Sequence, residues 1–454
     1  MKKIELTRAY VDGNVIRYEV CEEPGLGLLQ QERVELYIRY HFNESFRCDL
    51  SNLPQSILTI PIAFYLVPLT YFYAVEVIIP EMDKDLLGCL QQIYAAYSKV
   101  YGPFCESWRG KVTARKVVEN TKPGNSRYDK VVFFSGGVDA CHAGINNAGR
   151  RSLLVSIPDI ESMAKDEGPL RDEKFTLIKN FSKMVDSDWL LISNNFNVSL
   201  YRDNLINEFL GRVRGLSSPA YKFDGWYGIK YIPNMCSVAP VAYAMDIKSL
   251  HMGSSYEEID GVYAENLDGA NPAITNSVAF AGISFAEQEG LSTRRSMKVQ
   301  DIIAWCKAHD KYVKLWACFS DRTAQCGFCG KCVRTQLNIL CAGENPKEWG
   351  FDEFSEKEFA KFIRGYRYRE SNPCWLWDNI ESIDEERIYP YLDDLLHWLK
   401  KVGYKEYSRR ANNRAKLHAK IHALSRVLFV SRYPCYLKAI WAKITSSNGA
   451  VACA

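Results

Sequence analysis

The chain has 454 residues, of which 47% are hydrophobic and 24% charged, so it reads as globular and long enough for two or three folded units. A formal net charge of +3 is small for this length and gives no global case for a nucleic-acid partner. Fifteen cysteines would suggest a disulfide framework in a short secreted chain, but Met1-Lys2-Lys3-Ile4-Glu5 is no signal peptide and four of the cysteines cluster tightly, so a cytoplasmic location is expected.

In chain order, the first signal is a pair of alternating runs joined by Asp12-Gly13-Asn14, which predicts a β-hairpin. A further strand is expected from Val34 to Phe42. The stretch Ile57 to Ile79 carries no charge before Glu76, and its length alone would suit a membrane span. Pro61 and Pro68, the polar groups of Thr59, Tyr65, Thr70, Tyr71 and Tyr73, and flanks more acidic than basic favour a buried strand-helix-strand segment instead. No transmembrane span is expected. An amphipathic helix is expected from Asp85 to Tyr97, and Thr121 to Ser126 reads as a linker. These signals define a β-rich α+β unit over residues 1–124.

Residues 125–345 read as a three-layer α/β unit with a parallel sheet, because strands such as Leu153 to Ile157 and Trp189 to Ile192 alternate with helical stretches. Residues 346–454 read as a helical region with a basic tail. Between Lys405 and Lys443 ten Lys or Arg stand against one acid, Glu406, with Leu417, Ile421, Leu424 and Leu428 on one helical face. Such a helix suits an acidic macromolecule or an anionic membrane surface, or else packs on its own protein with its basic face in water.

The α/β unit opens on Lys130-Val-Val-Phe-Phe134, suited to a strand buried on both faces, followed by Ser135-Gly136-Gly137-Val138-Asp139. Two glycines let successive backbone N–H groups close on an anion at the start of the next helix, where the dipole favours negative charge. The expected guest is a phosphate or pyrophosphate; the plainer reading is an ordinary strand-to-helix turn. Farther on, a short strand ends at Met252 and opens into Gly253-Ser254-Ser255, small residues able to sit close to a nucleotide or substrate. Arg294, Arg295 and Lys298 stand at the mouth of an amphipathic helix, where the dipole disfavours cations, so they read either as polyphosphate ligands or as a solvated basic surface.

The most specific signal closes the unit. Cys318, Cys326, Cys329 and Cys332 form C-x7-C-x2-C-x2-C, with Gly327 and Gly330 supplying tight turns. Four thiolates so arranged suit tetrahedral Zn2+ in a structural role, with an iron-sulfur cluster as the rival reading. Cys306 and Cys341 are expected in the core.

Taken in order, the Ser135-to-Asp139 turn, the Gly253-Ser254 strand end, the helix led by Lys298, and Trp316-Ala317-Cys318 with the cysteine cluster through Arg334 resemble the PP-loop ATP pyrophosphatases. Among these the chain looks most like 7-cyano-7-deazaguanine synthase and its longer relatives. The resemblance covers about residues 128 to 341 and implies the HUP-like fold of adenine nucleotide alpha hydrolases. It implies cleavage of ATP to AMP and pyrophosphate, with adenylation of a carboxylate or carbonyl acceptor that ammonia or an amine then attacks. It also implies ATP, Mg2+ and Zn2+ as bound groups. Ser135, Gly136, Gly137, Val138, Gly253, Ser254 and Arg295 would face the nucleotide, with Asp139 and Lys298 in catalytic positions and the four cysteines on the metal.

The chain departs from the family at Ala140, where the motif has serine, and at Gly261 to Asn266, where the deazaguanine enzymes have Gly-Tyr-Pro-Asp-Cys-Arg. Loss of one hydrogen bond to a charged acceptor weakens binding by about 1.5 to 3 kcal/mol. A nucleotide sensor or zinc-stabilised scaffold acting on a macromolecular partner is therefore the alternative to an enzyme.

Overall fold

The computed structural model describes residues 1–73, 75–101, 110–124, 126–157, 169–200, 233, 235–254, 258–259, 262–263, 271–285, 288–318, 325–367, 392–403 and 405–417. Of the sequence features above, Ser255, most of the segment from Gly261 to Asn266, and the tail beyond Leu417 lie outside the described residues. The chain divides into two compact units. The first comprises residues 1–135 and 139–293, the second residues 136–138 and 294–454.

In the first unit the chain runs β1 (Lys2–Asp12), β2 (Val15–Glu22), β3 (Arg33–His41), α1 (Gln55–Leu58), α2 (Ile60–Phe72), β4 (Val75–Asp83), α3 (Lys84–Tyr101) and β5 (Lys111–Val118). It continues through β6 (Lys130–Phe133), α4 (Val138–Asn146), β7 (Ser152–Ser156), α5 (Pro169–Met184), β8 (Asp188–Asn194) and α6 (Phe196–Ser199). Then come α7 (Ala239–Ala244), β9 (Ser249–His251), a small ribbon of β10 (Glu258–Ile259) and β11 (Val262–Tyr263), α8 (Pro272–Thr275), β12 (Ala279–Phe280) and β13 (Ile283–Phe285).

Among the described residues eleven strands form one mixed, mostly parallel sheet, in the order β12-β13-β9-β6-β7-β8-β3-β2-β1-β4-β5. From β13 to β8 neighbouring strands are parallel; β8, β3, β2 and β1 are antiparallel in turn, and β1, β4 and β5 are parallel again. The architecture is α/β. The hairpin forms as its sequence implies, with Asp12 opposite Val15 and Gly13 at φ +61°. A bulge between Leu6 and Arg8 inserts Thr7, whose hydroxyl donates to the Glu19 carbonyl. The buried positions accordingly step from Ile4 and Leu6 to Ala9.

The apolar stretch of residues 57–79 differs from the sequence expectation in its first part, which is helical rather than extended. It forms the second half of α1, then α2 and the start of β4. Pro61 sits in the first turn of α2, where its missing N–H is harmless, and Pro68 lies inside the helix, which is buried on every side. Its polar groups are used: the Thr59 hydroxyl donates to the Glu81 carbonyl at 2.7 Å, and Thr70 bonds both the Val67 carbonyl and the Tyr94 hydroxyl. An apolar run without a period cannot distinguish buried strand from buried helix. No helix among the described residues is long and apolar enough to cross a membrane.

The second unit holds α9 (Arg295–Ala308), α10 (Gly330–Cys341), a 3-10 turn (Pro346–Trp349), α11 (Glu356–Arg364) and α12 (Leu392–Val402). Residues 405–417 are helical and dock through Tyr407, whose ring meets Tyr366 and whose hydroxyl donates to the Ile363 carbonyl at 3.0 Å. Arg409 and Arg410 of this segment both pair with Glu406 on the same helix.

Candidate functional site

The turn between β6 and α4 is built as a short, sharp change of direction. Val131 and Val132 are fully buried between β7 and β9, and the Phe134 N–H donates to the Val155 carbonyl at 2.8 Å. Gly136 then takes φ +83°, a conformation that favours glycine, and the helix begins at Val138 with Asp139 in its first turn. Ser135 is exposed at the mouth of the turn, whereas Ala140 is 8% exposed. In the second unit the Trp316 N–H donates to the Gly136 carbonyl at 2.6 Å, so the Trp316-Ala317-Cys318 stretch and the glycine turn are joined by backbone.

Gly253 has a steric role that the sequence pattern does not specify. A Cβ at this position would stand 2.0 Å from the Asp139 carbonyl oxygen and 2.9 Å from the Ala140 nitrogen. The end of β9 therefore presses directly on the first turn of α4, and glycine alone permits the approach. Ser254 is fully buried, and its N–H donates to the Glu289 carbonyl, while the Glu289 N–H donates to Met252.

A polar relay that sequence reasoning missed supports this strand end. Ser249 Oγ lies 2.8 Å from His251 Nε2, and His251 Nδ1 lies 2.8 Å from Glu289 Oε1. The hydrogen bond from His251, reinforced by one from Asn147, holds the Glu289 carboxyl below the usual carboxylate range. Asn147 in turn accepts from Lys130. No local motif announces the relay, because it joins residues 38 positions apart through strand pairing.

In the second unit Arg294 caps α9 in extended conformation and Arg295 begins it. Lys298 is only 1% exposed, which sets it apart from a solvated basic face.

The four sequence-predicted cysteines are brought together. The Sγ atoms of Cys318, Cys326, Cys329 and Cys332 all lie within 4.8 Å of one another, and Cys326 and Cys332 are 3.9 Å apart. Tetrahedral thiolates about a zinc ion with bonds of about 2.3 Å would stand about 3.8 Å apart, so the donor set fits one metal ion. The Cys326 N–H points at Cys318 Sγ and the Cys329 N–H at Cys326 Sγ, at 3.4 and 3.3 Å, as suits sulfurs carrying negative charge. Hydrogen bonds from Cys326, Cys329 and Cys332 drive the Cys318 thiol far below its ordinary range. Gly327 takes φ +75° in the knuckle, and Cys329 caps α10.

Gln325, also missed from sequence, staples the two ligand-bearing segments. It accepts from the Ala317 N–H and donates to the carbonyls of Leu315 and Gly350. Cys306 and Cys341 are buried core residues, as expected.

No family model, curated protein or solved structure matches this chain.

Proposed function

We propose that the chain is a PP-loop ATP pyrophosphatase, similar to 7-cyano-7-deazaguanine synthase. It would cleave ATP to AMP and pyrophosphate and adenylate a carboxylate or carbonyl acceptor for attack by ammonia or an amine. The observation that carries the reading is the β6–α4 turn, where Gly136 at φ +83° leads straight into a helix N-terminus whose dipole suits phosphate. In this reading the backbone of Ser135, Gly136, Gly137 and Val138 cradles the pyrophosphate, and Asp139 orients Mg2+ or caps the helix. Gly253 and Ser254 shape the nucleotide side, while Arg295 and Lys298 offset charge growing on the leaving pyrophosphate. The four cysteines would hold Zn2+ in a filled tetrahedron, which supplies folding energy rather than an open coordination position.

Gly136→Val should abolish Mg-ATP binding in a folded protein, because the side chain fills the anion space and strains the turn. Calorimetry reads this directly, and unchanged affinity in a folded variant would remove the cradle. With α-labelled ATP, Mg2+, ammonium and a panel of carboxylates, the reading expects labelled AMP. Ala140, which lacks the family hydroxyl, favours a second reading as a nucleotide sensor. Binding without AMP across the panel would support that reading.

A further inference from the structure

Strand β9 carries Ser249 and His251 two positions apart, which the period of a strand puts on one face of the sheet. Ser249 Oγ lies 2.8 Å from His251 Nε2, and His251 Nδ1 lies 2.8 Å from Glu289 Oε1. These contacts fix the protons. Bonds from His251 and Asn147 hold Glu289 below the usual carboxylate range, so it is ionised at neutral pH and only accepts. His251 Nδ1 therefore carries the hydrogen given to Glu289, and in the neutral imidazole Nε2 is left as the acceptor for the Ser249 hydroxyl. A hydroxyl, an imidazole and a carboxylate joined through these two nitrogens are the arrangement that makes a serine nucleophilic.

The sheet adds what an acyl transfer needs. On one side of Ser249, β6 places Lys130 opposite it; on the other, β13 places Ser284. In-register neighbours of a parallel pair share a face at a strand spacing of about 4.8 Å, so a cation and a second hydroxyl flank Ser249. The Lys130 ammonium gives one of its three hydrogens to Asn147 Oδ1 at 2.8 Å. Ser249 is half-buried, 14% of the His251 side chain is exposed, and the row opens to solvent at Ser284.

We propose that Ser249, His251 and Glu289 form an acyl-transfer site that hydrolyses small carboxylic esters. Ser249 Oγ adds to the ester carbonyl carbon while its proton passes to His251 Nε2, and the carbonyl electron pair moves onto oxygen, where Lys130 offsets the charge. Collapse of that oxyanion breaks the bond to the alcohol oxygen, which leaves with the proton from Nε2, and Ser249 keeps the acyl group. Water then adds to the acyl carbon and gives its proton to Nε2, and Ser249 Oγ leaves and recovers that proton. Ester and water become acid and alcohol with no other reactant. Ser249 and His251 are the catalytic residues, and Glu289 is a positioning residue that sets the imidazole tautomer. Lys130 and Ser249 begin their strands, whereas the β6–α4 turn follows the other end of β6, so the inference does not depend on ATP binding there.

The test treats full-length protein with an alkyl fluorophosphonate and, separately, with p-nitrophenyl acetate, mapping adducts by peptide mass spectrometry and checking each variant for folding by thermal melting. A phosphonyl adduct on Ser249 is expected, as is nitrophenolate release that Ser249→Ala lowers by about a hundredfold or more. His251→Gln should suppress the adduct; adduct formation at the wild-type rate in that variant would overturn the imidazole as the activator of Ser249. Glu289→Gln should lower kcat with little change in KM, since it acts on the imidazole rather than on bound ester, and a raised KM with kcat kept would overturn its positioning role. Absence of an adduct on Ser249 in folded wild-type protein, or nitrophenolate release unchanged in Ser249→Ala, would overturn the site.

Discussion

Gly253 is a glycine for a reason the local sequence does not specify. Sequence alone suggests that Gly253-Ser254 makes room for a ligand, and the structure adds that the atom 2.0 Å from where a Cβ would stand is the Asp139 carbonyl oxygen. Gly253→Ala should therefore destabilise the protein by about 1 to 3 kcal/mol, measured by denaturant unfolding, since backbone on both sides has no rotamer to yield. Gly88, inside α3 with nothing within 4 Å of an added Cβ, gives the contrast: Gly88→Ala should stabilise by about 0.5 to 1 kcal/mol. Glu289 left no trace in the sequence, because its value comes from pairing with β9 and His251 rather than from any local pattern. Its folded pKa is lowered from the ordinary 4.5, so its contribution is complete above that value and is lost as pH falls below it. Glu289→Gln should lower stability at neutral pH and flatten the acid limb of the stability profile below the ordinary 4.5, checked by chemical denaturation along that limb.

At the scale of elements, legibility follows how local the cause is. The hairpin at Gly13, α3, β7, β8 and the cysteine spacing are each decided within one short stretch of chain, and all are readable. The first part of the 57–79 stretch was not, because burial on all sides erases the period that separates helix from strand. The bulge at Thr7 is written in the spacing of Ile4, Leu6 and Ala9, but only pairing with β2 gives that spacing its meaning. The cysteine cluster makes the firmest prediction of this group. Cys329 both donates a sulfur and caps α10, so Cys329→Ser should release the metal and lower the melting temperature while altering ATP affinity little. Elemental analysis should find about one zinc per wild-type chain. Iron with visible absorbance would replace zinc with an iron-sulfur cluster.

For the whole chain, the decisive long-range feature is the antiparallel pairing of β3 with β8, from Ile38 opposite Asn194 to His41 opposite Leu191. It makes one sheet of strands drawn from both sides of the linker, and side chains secure it: His41 meets Ser193, and the Tyr37 N–H donates to Asn195. Lys122 in the linker donates to the carbonyls of Ile247 and Gly282. No sequence signal announces such a junction, since each strand merely alternates as any strand would. Residues 1–124 expressed alone should fail to melt cooperatively, because β3 would be left as an open edge with half its partners missing. Whether the turn after β6 holds ATP, as proposed, is read by equilibrium dialysis of α-labelled ATP with Mg2+ against folded wild-type protein and Gly136→Val. Saturable binding of about one nucleotide per chain is expected for wild type, and its loss in the variant; the absence of saturable binding by folded wild-type protein would contradict ATP binding at this turn.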